Sequence, residues 1–409
     1  MAITLIQKPK NQVNPVWQPC FWVFDSSNNE EANFNYIVDV YIDSVLEKTF
    51  KIAARPDNGY CVFDVSRFMQ SYVTKDITTA SGFVENVNSM KEYVLKVGEE
   101  YGDTVVEYPN LWLSSSVDNY FSCNADLSRE DYLDWDIGDY ALESVSDLFL
   151  TNAPRPQSIE LNQLAWVYML QKNIANDPNK LQVITYDSAG SVIATTNFTS
   201  GYSTSSGDFT HLSFGVGTYQ LNNSSAGTLI DSNTSYYTVQ MLYDSTARSE
   251  VMRFNIVSGS CKYDTKRIHF LNKLGGYDSF NFSLVSKNNY NIERAEYTKN
   301  RFEFATRTAG DYNFYNSSTN AFYDYTLQSR GKSVFWQTVG ETLKVTSDWI
   351  TEEEATWLLE LFTSRDIYLE ADNGLVAMNI KATSYETKKK ENEKLFNIEV
   401  EFEYAQPKW

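Results

Sequence analysis

Three glutamates close to the C-terminus have the spacing that most directly suggests chemistry. Glu399, Glu401 and Glu403 alternate with apolar residues in a strand-like stretch, so their side chains would point the same way, about 7 Å apart. Paired carboxylates carry out glycoside hydrolysis. Neighbouring positions on one exposed face give no reason for one of the pair to hold its proton. We therefore interpret the three glutamates as an acidic ridge that faces solvent or another subunit.

A short lysine run precedes this ridge. Lys388, Lys389 and Lys390 lie in the hairpin predicted just before the last strand. Opposite charges on neighbouring strands attract each other, so these lysines would complement the ridge within the domain or in a neighbouring copy. We assign the three lysines and the three glutamates to a candidate assembly surface.

Tryptophans are concentrated in the first third of the chain. Trp17, Trp22, Trp112 and Trp135 would form an aromatic sugar-binding platform in one interpretation. The interpretation that we favour is a core or interface role, because large aromatic side chains anchor protein–protein contacts. Trp112 and Trp135 are therefore added to the candidate assembly surface.

The other stretches that could bind a metal or a phosphate each lack part of the required motif. The short acidic stretch from Asp134 to Asp139 is similar to the start of a calcium-binding loop. Position 12 of such a loop is a glutamate, whereas this chain has Val145 there. The two histidines, His211 and His269, lie outside any metal or triad motif, so a structural role is expected for each. Gly275 and Gly276 lack the rest of a phosphate loop and predict a hairpin or bulge. We expect no cofactor, no metal and no catalytic residue.

Composition narrows the classes of function further. The chain has 409 residues, with 28 Tyr and 24 Phe but only 2 His. Its 34 basic and 53 acidic residues give a net charge of −19, which argues against a surface that wraps nucleic acid. Few histidines disfavour His-based acid–base chemistry and most zinc or haem sites. These numbers favour a large, acidic, tyrosine-rich binding or assembly protein.

Redox and targeting features predict an intracellular origin. The four cysteines are dispersed and are expected to be buried thiols, with a disulfide between Cys20 and Cys61 as the alternative. No stretch approaches the 18 consecutive apolar residues of a membrane span, and the opening residues lack a secretory signal. Synthesis in the cytoplasm without secretion is the expectation.

The elements that would position these residues are mostly strands. Apolar residues alternate along 34–42 and 91–97, which indicates half-buried antiparallel strands. A turn cluster at 55–59 leads to a short strand at 60–65, after which Ser66 would cap a helix over 67–72. This first unit, residues 1–150, predicts a β-sandwich of immunoglobulin size with an acidic aromatic segment at its end.

Two further units follow a proline-containing boundary at 151–156. Residues 155–262 combine strand-like stretches at 181–186, 192–196 and 236–242 with Ser/Thr/Asn/Gly loops, and they predict a second sandwich. Residues 263–409 predict an antiparallel sheet or barrel that carries one α-helix over 352–363, with strands at 367–371, 376–383 and 395–405. The capping box of Thr351 and Glu354 starts that helix. The fold class is therefore mainly β, with multi-domain β-sandwiches and a C-terminal sheet.

Three stretches resemble known proteins. Residues 14–73, 266–280 (KRIHFLNKLGGYDSF) and 347–370 are similar to structural proteins of tailed bacteriophages that infect Bacteroidota, the crAss-like phages among them. The resemblance implies a tail, neck or baseplate component of the virion, in a ring around the tail axis. It implies contacts with copies of the chain and with other tail, neck or portal proteins, and with phage DNA only in transit. It carries over no catalytic residues.

Two classes of function remain from the sequence. We expect a non-enzymatic virion protein that forms a ring-shaped adaptor or hub in a bacteriophage tail or neck. Long alternating strands such as 395–405 would then be edges that another subunit covers. The alternative is a glycan- or receptor-binding tail protein that uses its Tyr and Trp surfaces. A polysaccharide-degrading tail enzyme is a third, weaker hypothesis.

Overall fold

The computed structural model shows a chain built mainly from β-strands, as the sequence predicts. It describes residues 3–116, 118–172, 177–202, 208–257, 263–298, 331–372, 374–381 and 397–407. Within these residues the strands form five sheets, and the α-helices are short. Four clusters of buried apolar side chains hold the sheets together.

The first two sheets form an N-terminal sandwich. Their strands are β1 (Ile3–Gln7), β2 (Val13–Pro15), β3 (Phe21–Ser26), β4 (Asn35–Ile42), β5 (Val45–Ala53), β6 (Cys61–Asp64), β8 (Met90–Tyr101), β9 (Val106–Leu113) and β10 (Tyr120–Cys123). The smaller sheet has the order β1-β3-β6. The larger sheet has the order β2-β10-β8-β4-β5, with β9 paired to β8. All pairs are antiparallel except β2 with β10.

The apolar residues that alternate along 34–42 pack in the core of this sandwich. Phe34, Tyr36, Val38, Val40 and Ile42 all lie in one apolar cluster, which confirms the predicted face. The cluster also contains the buried cysteines at positions 20 and 61. Both are free thiols, so the alternative disulfide is wrong, and Cys261 lies outside the described residues.

The helix after β6 differs from the prediction. Helix α1 covers Ser66–Met69, and Ser66 is buried and does not cap it. Instead, Asp64 Oδ1 accepts hydrogen bonds from the backbone N–H and the hydroxyl of Ser66, at 3.1 and 2.7 Å. It also accepts from the Cys20 N–H at 2.9 Å, so the aspartate links β3 to the turn.

The middle of the chain builds two further sheets around a second core. Strands β7 (Phe83–Glu85), β12 (Trp166–Lys172) and β15 (Phe209–Gly215) form one sheet, in the order β12-β15-β7. The other has the order β11-β18-β16-β13-β14, with β17 paired to β16. Its strands are β11 (Gln157–Ile159), β13 (Lys180–Tyr186), β14 (Val192–Thr199), β16 (Tyr236–Tyr243), β17 (Thr246–Ala247) and β18 (Met252–Ile256). Helix α3 covers Thr218–Asn222. The domain limits themselves stay a prediction, because β7 comes from the first predicted unit and pairs with β15 in the second.

The last sheet has seven antiparallel strands. They are β19 (Lys266–Leu271), β20 (Tyr277–Phe282), β21 (Lys287–Thr298), β22 (Lys332–Thr346), β23 (Ile367–Ala371), β24 (Gly374–Ile380) and β25 (Glu399–Tyr404). Their order in space is β20-β19-β23-β24-β25-β22-β21. Strand β25 begins at Glu399 and not at 395, since Asn397 and Ile398 are described outside the strand and 395–396 lie outside the described residues.

The single predicted helix is two short helices. Helix α4 (Glu352–Trp357) and helix α5 (Leu359–Thr363) meet at Leu358. The capping box is confirmed: Thr351 Oγ1 accepts from the Glu354 N–H at 3.2 Å, and Glu354 Oε2 accepts from the Thr351 N–H at 2.8 Å. The spacing of Ala355, Leu358, Leu359 and Phe362 predicts one apolar stripe along this helix. That prediction is partly wrong, because Leu359 is exposed and Trp357 is buried on the sheet instead.

A hairpin between β19 and β20 joins the three parts of the chain. Its tip, residues 272–276, is the predicted Gly-Gly hairpin, and Gly275 has φ +92°. Asn272 Oδ1 accepts from the N–H groups of Leu274 and Gly276 at 3.0 Å, and its amide donates to the Leu150 carbonyl at 2.8 Å. The Lys273 carbonyl accepts from the Asp126 N–H at 3.0 Å. These bonds fix the tip to the first part, and Leu274 packs in one apolar cluster with Tyr168 and Phe209 of the middle part.

Buried charges make a second link between the middle and the last sheet. Glu370 on β23 accepts hydrogen bonds from the Leu164 N–H at 3.1 and 3.2 Å and lies 3.7 Å from the Arg267 guanidinium. Arg267 Nε donates to the Leu164 carbonyl at 2.8 Å. Buried charges are costly unless they are paired and hydrogen-bonded; here the two charges are close together, and the Leu164 backbone supplies a hydrogen bond to each of them. This link holds the seven-stranded sheet at a fixed position on the middle sheets.

We predict that Gly276→Ala loosens the junction. A Cβ at this position would lie 2.8 Å from the Leu150 carbonyl oxygen and 3.0 Å from the Tyr168 side chain. The expected loss is about 1–3 kcal/mol of unfolding free energy, measured by urea denaturation. Gly340→Ala is the control, because its Cβ would make only an ordinary 3.8 Å contact. Equal stability of the two variants would contradict the proposed close packing at the tip.

Candidate assembly surfaces

The predicted acidic ridge lies on an interior strand. Glu399 and Glu403 on β25 point outward while Val400 and Phe402 are buried, which confirms the alternation. However, β25 lies between β24 and β22, so the expectation that this strand is an open edge is wrong. Both edges of β25 are therefore paired with strands of the same chain.

The ridge also finds cationic partners within its own sheet. Glu399 pairs with Lys344, and Glu401 lies 3.3 Å from the Lys381 ammonium. Lys388, Lys389 and Lys390 lie outside the described residues, so their part in the assembly surface stays a prediction.

Trp112 and Trp135 require a correction. The Trp112 side chain is 9% exposed and packs edge-on against Phe24, with ring centroids 5.0 Å apart. The Trp135 ring is 5% exposed, stacks on Tyr140, and donates from Nε1 to the Val13 carbonyl at 3.3 Å. Both belong to the core, because their large apolar rings stabilise the fold more by burial than by exposure. Neither is available to an assembly partner.

One edge of the last sheet is instead formed by the strand pair β21 and β22. These strands pair from Lys287 with Lys344 to Thr298 with Lys332. Strand β25 pairs with β22 only over residues 342–346. Residues 332–341, with their partners on β21, therefore extend beyond β25 over roughly 30 Å. We call β21 and β22 the ribbon, and no other strand in the described ranges pairs with its outer part.

The ribbon exposes large apolar side chains. Phe335 is 72% exposed, and Trp336 beside it is 49% exposed. Four more apolar side chains of the ribbon are exposed: Tyr290, Ile292, Tyr297 and Val334. An isolated two-stranded hairpin is marginally stable in water, and exposed apolar patches mark interaction sites. The ribbon therefore has the features that are typical of a protein-interaction surface.

A second exposed apolar surface lies in the acidic segment, residues 128–150. Leu133 is 76% exposed and Val145 is 61% exposed, with Tyr132 and Leu148 exposed nearby. The segment begins with helix α2 (Arg129–Asp134). It contains seven Asp and Glu residues against one arginine, so its net charge is −6. This combination of apolar and acidic side chains is suited to an apolar partner that is not itself acidic.

A groove runs from the acidic segment to helices α4 and α5. Glu130 and Asp131 line one side, and Glu353 and Glu360 line the other. Burial, with the nearby Asp278 carboxylate, raises the pKa of Glu360 to about 7. Hydrogen bonds from the Lys273 N–H and the Asn152 amide, both at 2.9 Å, oppose that rise. The carboxyl group is therefore partly protonated near neutral pH.

One cluster has the composition of a catalytic triad. The Ser279 hydroxyl lies 2.7 Å from His269 Nδ1, and His269 Nε2 lies 3.0 Å from Glu370 Oε2. Complete burial lowers the pKa of His269 to about 4, despite the Glu370 carboxylate. An imidazole with such a low pKa is a weak general base. In addition, Glu370 accepts a hydrogen bond from the Leu164 N–H. The contacts favour the structural role that was predicted for His269.

Comparison with known proteins adds little. No family model and no curated protein matches the chain. Among solved structures it is similar to the extracellular domains 3–5 of Drosophila OTK, with 8% sequence identity over 92% of this chain and 95% of that one. The TM-score of 0.22 is too low to carry an argument.

The described residues contain neither a membrane-spanning helix nor a cluster of metal ligands. No helix there has the length and apolar character needed to cross a membrane. No group of three or more His, Cys, Asp and Glu side chains in the same residues is arranged to hold a metal ion.

We predict that Glu360→Gln changes how stability depends on pH. The folded pKa lies above the value of 4.5 for a free side chain, so folded protein retains a proton that unfolded chain releases. This contribution is present below pH 4.5 and is lost as pH rises through about 7. The variant should therefore gain stability over wild type between pH 5 and pH 8, on the order of 3 kcal/mol.

The measurement is urea denaturation of both proteins at several pH values. Glu353→Gln removes an exposed carboxyl group from the same pair of helices and is the matched control. The gain in stability of Glu360→Gln over this control should increase from pH 5 to pH 8. A difference between the two variants that does not change with pH would contradict the buried state of Glu360.

Proposed function

We propose that this chain is a non-enzymatic structural protein of a bacteriophage tail or neck. It forms a ring-shaped adaptor or hub by self-assembly, and it contacts other tail, neck or portal proteins. Its place is in the virion, after synthesis in the cytoplasm of the host bacterium. The observation that carries the proposal is the ribbon, whose apolar side chains are exposed and whose outer part pairs with no further strand in the part of the chain that the structure describes.

The physical argument starts from what exposed strands do. Open edges pair with other chains, and natural monomers shorten, charge or cover them. The ribbon has long strands and carries Phe335 and Trp336 near its outer end. Aromatic side chains of this kind are enriched at the centres of protein interfaces. The ribbon is therefore better suited to an assembled state than to a solitary one.

Two further features support the proposal. Residues 266–280, which resemble phage tail proteins, build the hairpin that joins the three parts of the chain. The net charge of −19 repels phosphate, so DNA that passes through a ring of these chains would not be retained. Both features agree with a conduit that holds its shape while the genome moves.

The glycan-binding alternative stays a prediction, but it loses one candidate platform. Of the four tryptophans in the first third of the chain, Trp22, Trp112 and Trp135 are buried and Trp17 is half-buried. No specific contact among the described residues favours glycan binding over assembly.

The proposal predicts a closed oligomer of the full chain. Light scattering should give a mass several times 46.9 kDa at micromolar concentration, and negative-stain images should show rings. Antibody labelling should place the chain on the tail or neck of the phage that encodes it. A chain that stays monomeric at all concentrations and is absent from purified particles would contradict the proposal.

A further inference from the structure

We propose that edge strand β14 of one copy pairs in antiparallel fashion with β14 of a second copy, across a two-fold axis. This inference goes beyond the proposed function. It adds a contact between identical surfaces, and it does not depend on the ring. In a ring-shaped assembly the same contact would join two rings face to face.

Strand β14 lies at the open edge of its sheet in the middle of the chain. It pairs with β13 along residues 192–199, and in the part of the chain that the structure describes no strand pairs with its other side. Phe198 is buried in the second core and fixes the strand to the body, whereas Val192 and Ile193 are 57% and 47% exposed. The outer side of the strand therefore presents a row of backbone N–H and C=O groups to which a further strand can pair.

Absence of charge distinguishes β14 from the other long edges. Among the described sheets, five edge strands have seven or more residues: β5, β9, β12, β14 and β21. Natural edge strands are protected from pairing by charged side chains. Four of the five contain such residues, namely Glu47, Lys48 and Lys51 in β5, Glu107 in β9, Lys172 in β12, and Lys287, Glu293, Arg294 and Glu296 in β21. Strand β14 contains none, and the charge-free stretch extends over residues 188–207.

The distribution of charge favours a second copy as the partner. Residues 155–262 carry six basic and seven acidic side chains, a net charge of −1. The rest of the chain carries −18, so two copies repel each other over most of their surfaces. An uncharged strand in this nearly neutral part is a place where two copies can approach with little repulsion. A strand that pairs in antiparallel fashion is complementary to an identical strand, so no second kind of surface is required.

The two-fold axis restricts how the two strands align. The axis must stand perpendicular to the sheet, so that the core-facing sides of both copies lie on the same side of the joined sheet. One residue then lies on the axis, opposite its own copy, and its two neighbours pair with each other. The middle of β14 places Thr195, Thr196 or Asn197 there. Threonine pairs across strands are favourable, and three of the eight residues of β14 are threonine.

Charge placed on β14 tests the pairing. Thr195→Lys with Thr199→Lys adds two ammonium groups to the strand, and both threonines are exposed, so the fold is expected to survive. Like charges on paired strands repel each other. The mass from light scattering should therefore fall to half the wild-type value. Thr195→Glu with Thr199→Glu should have the same effect for the same reason.

Mixing the two charged variants is the decisive step, because it restores attraction only where β14 meets β14. The 1:1 mixture should regain the wild-type mass, and native mass spectrometry should find one chain of each kind in every pair. Val45→Lys with Leu46→Lys on edge strand β5 is the matched control, since both side chains are exposed and the added charge is the same. The control should keep the wild-type mass.

Cysteine scanning locates the axis without added charge. Single cysteines replace Thr195, Thr196 or Asn197 in a Cys261→Ser chain, in which the other three native thiols are buried. The Cα atom on the axis lies about 4.5–5.5 Å from that of its own copy, which fits a disulfide, whereas the neighbouring residues are displaced along the strands. On mild oxidation one position should give severalfold more covalent dimer of twice 46.9 kDa than the other two. Lys48→Cys on β5 should give none.

The outcomes separate this inference from the proposed function. A lysine variant that keeps the wild-type mass, a mixture that does not recover it, or a control that also loses mass would overturn the pairing of β14. Equal crosslinking at all three positions, or at none, would overturn it as well. A wild type that forms pairs but no larger assembly would contradict the ring and leave the pairing. A wild type that is monomeric at all concentrations would overturn both.

Discussion

A two-stranded ribbon cannot bury both of its faces by itself, and the function that we propose for the chain depends on this constraint. The seven-stranded sheet has its core under β19, β23 and β25, where Phe270 and Phe402 are fully buried. Among the described residues, the sheet continues beyond β25 as β21 and β22 alone. Burial of their exposed apolar side chains against another surface would be favourable, and this is the physical basis of the assembly that we propose.

The ribbon is useful as an arm only if the body that carries it is rigid. The hairpin tip at 272–276 and the buried pair of Arg267 and Glu370 provide that rigidity. A shared apolar cluster surrounds the tip and draws side chains from all three parts of the chain, among them Phe121, Tyr168 and Tyr277. Separation of a buried ion pair leaves an uncompensated charge, so the pair of Arg267 and Glu370 favours this arrangement of the sheets. We therefore regard the junction as the element that fixes the seven-stranded sheet on the rest of the chain.

The sequence predicts local features well where a single strand or cap decides them. The alternation of 34–42 and the capping box at Thr351 were confirmed because each depends on residues a few positions apart. The break at Leu358 was missed because the apolar stripe continues through it. The assignment of Trp112 and Trp135 to the surface was wrong because aromatic residues are common in cores and interfaces alike.

The ribbon was missed for a different reason. Its two strands are separated in sequence, and only their pairing shows that 332–341 extends past the sheet. The adjacent pair Phe335 and Trp336 was the one local signal, since consecutive apolar residues cannot both face the same core from a regular strand. Likewise, the alternation of the last strand showed which face was buried but not that it had neighbours on both sides.

Hydrogen–deuterium exchange tests the central claim most directly, because it reports whether the ribbon amides are covered. The full chain is compared at a dilution where it is monomeric and at a concentration where it is assembled. We predict faster exchange over 332–341 than over β4 in the monomer, and a gain of protection over 332–341 on assembly with little change in β4. Protection of the ribbon that is already complete in the monomer, or that does not change on assembly, would contradict the account.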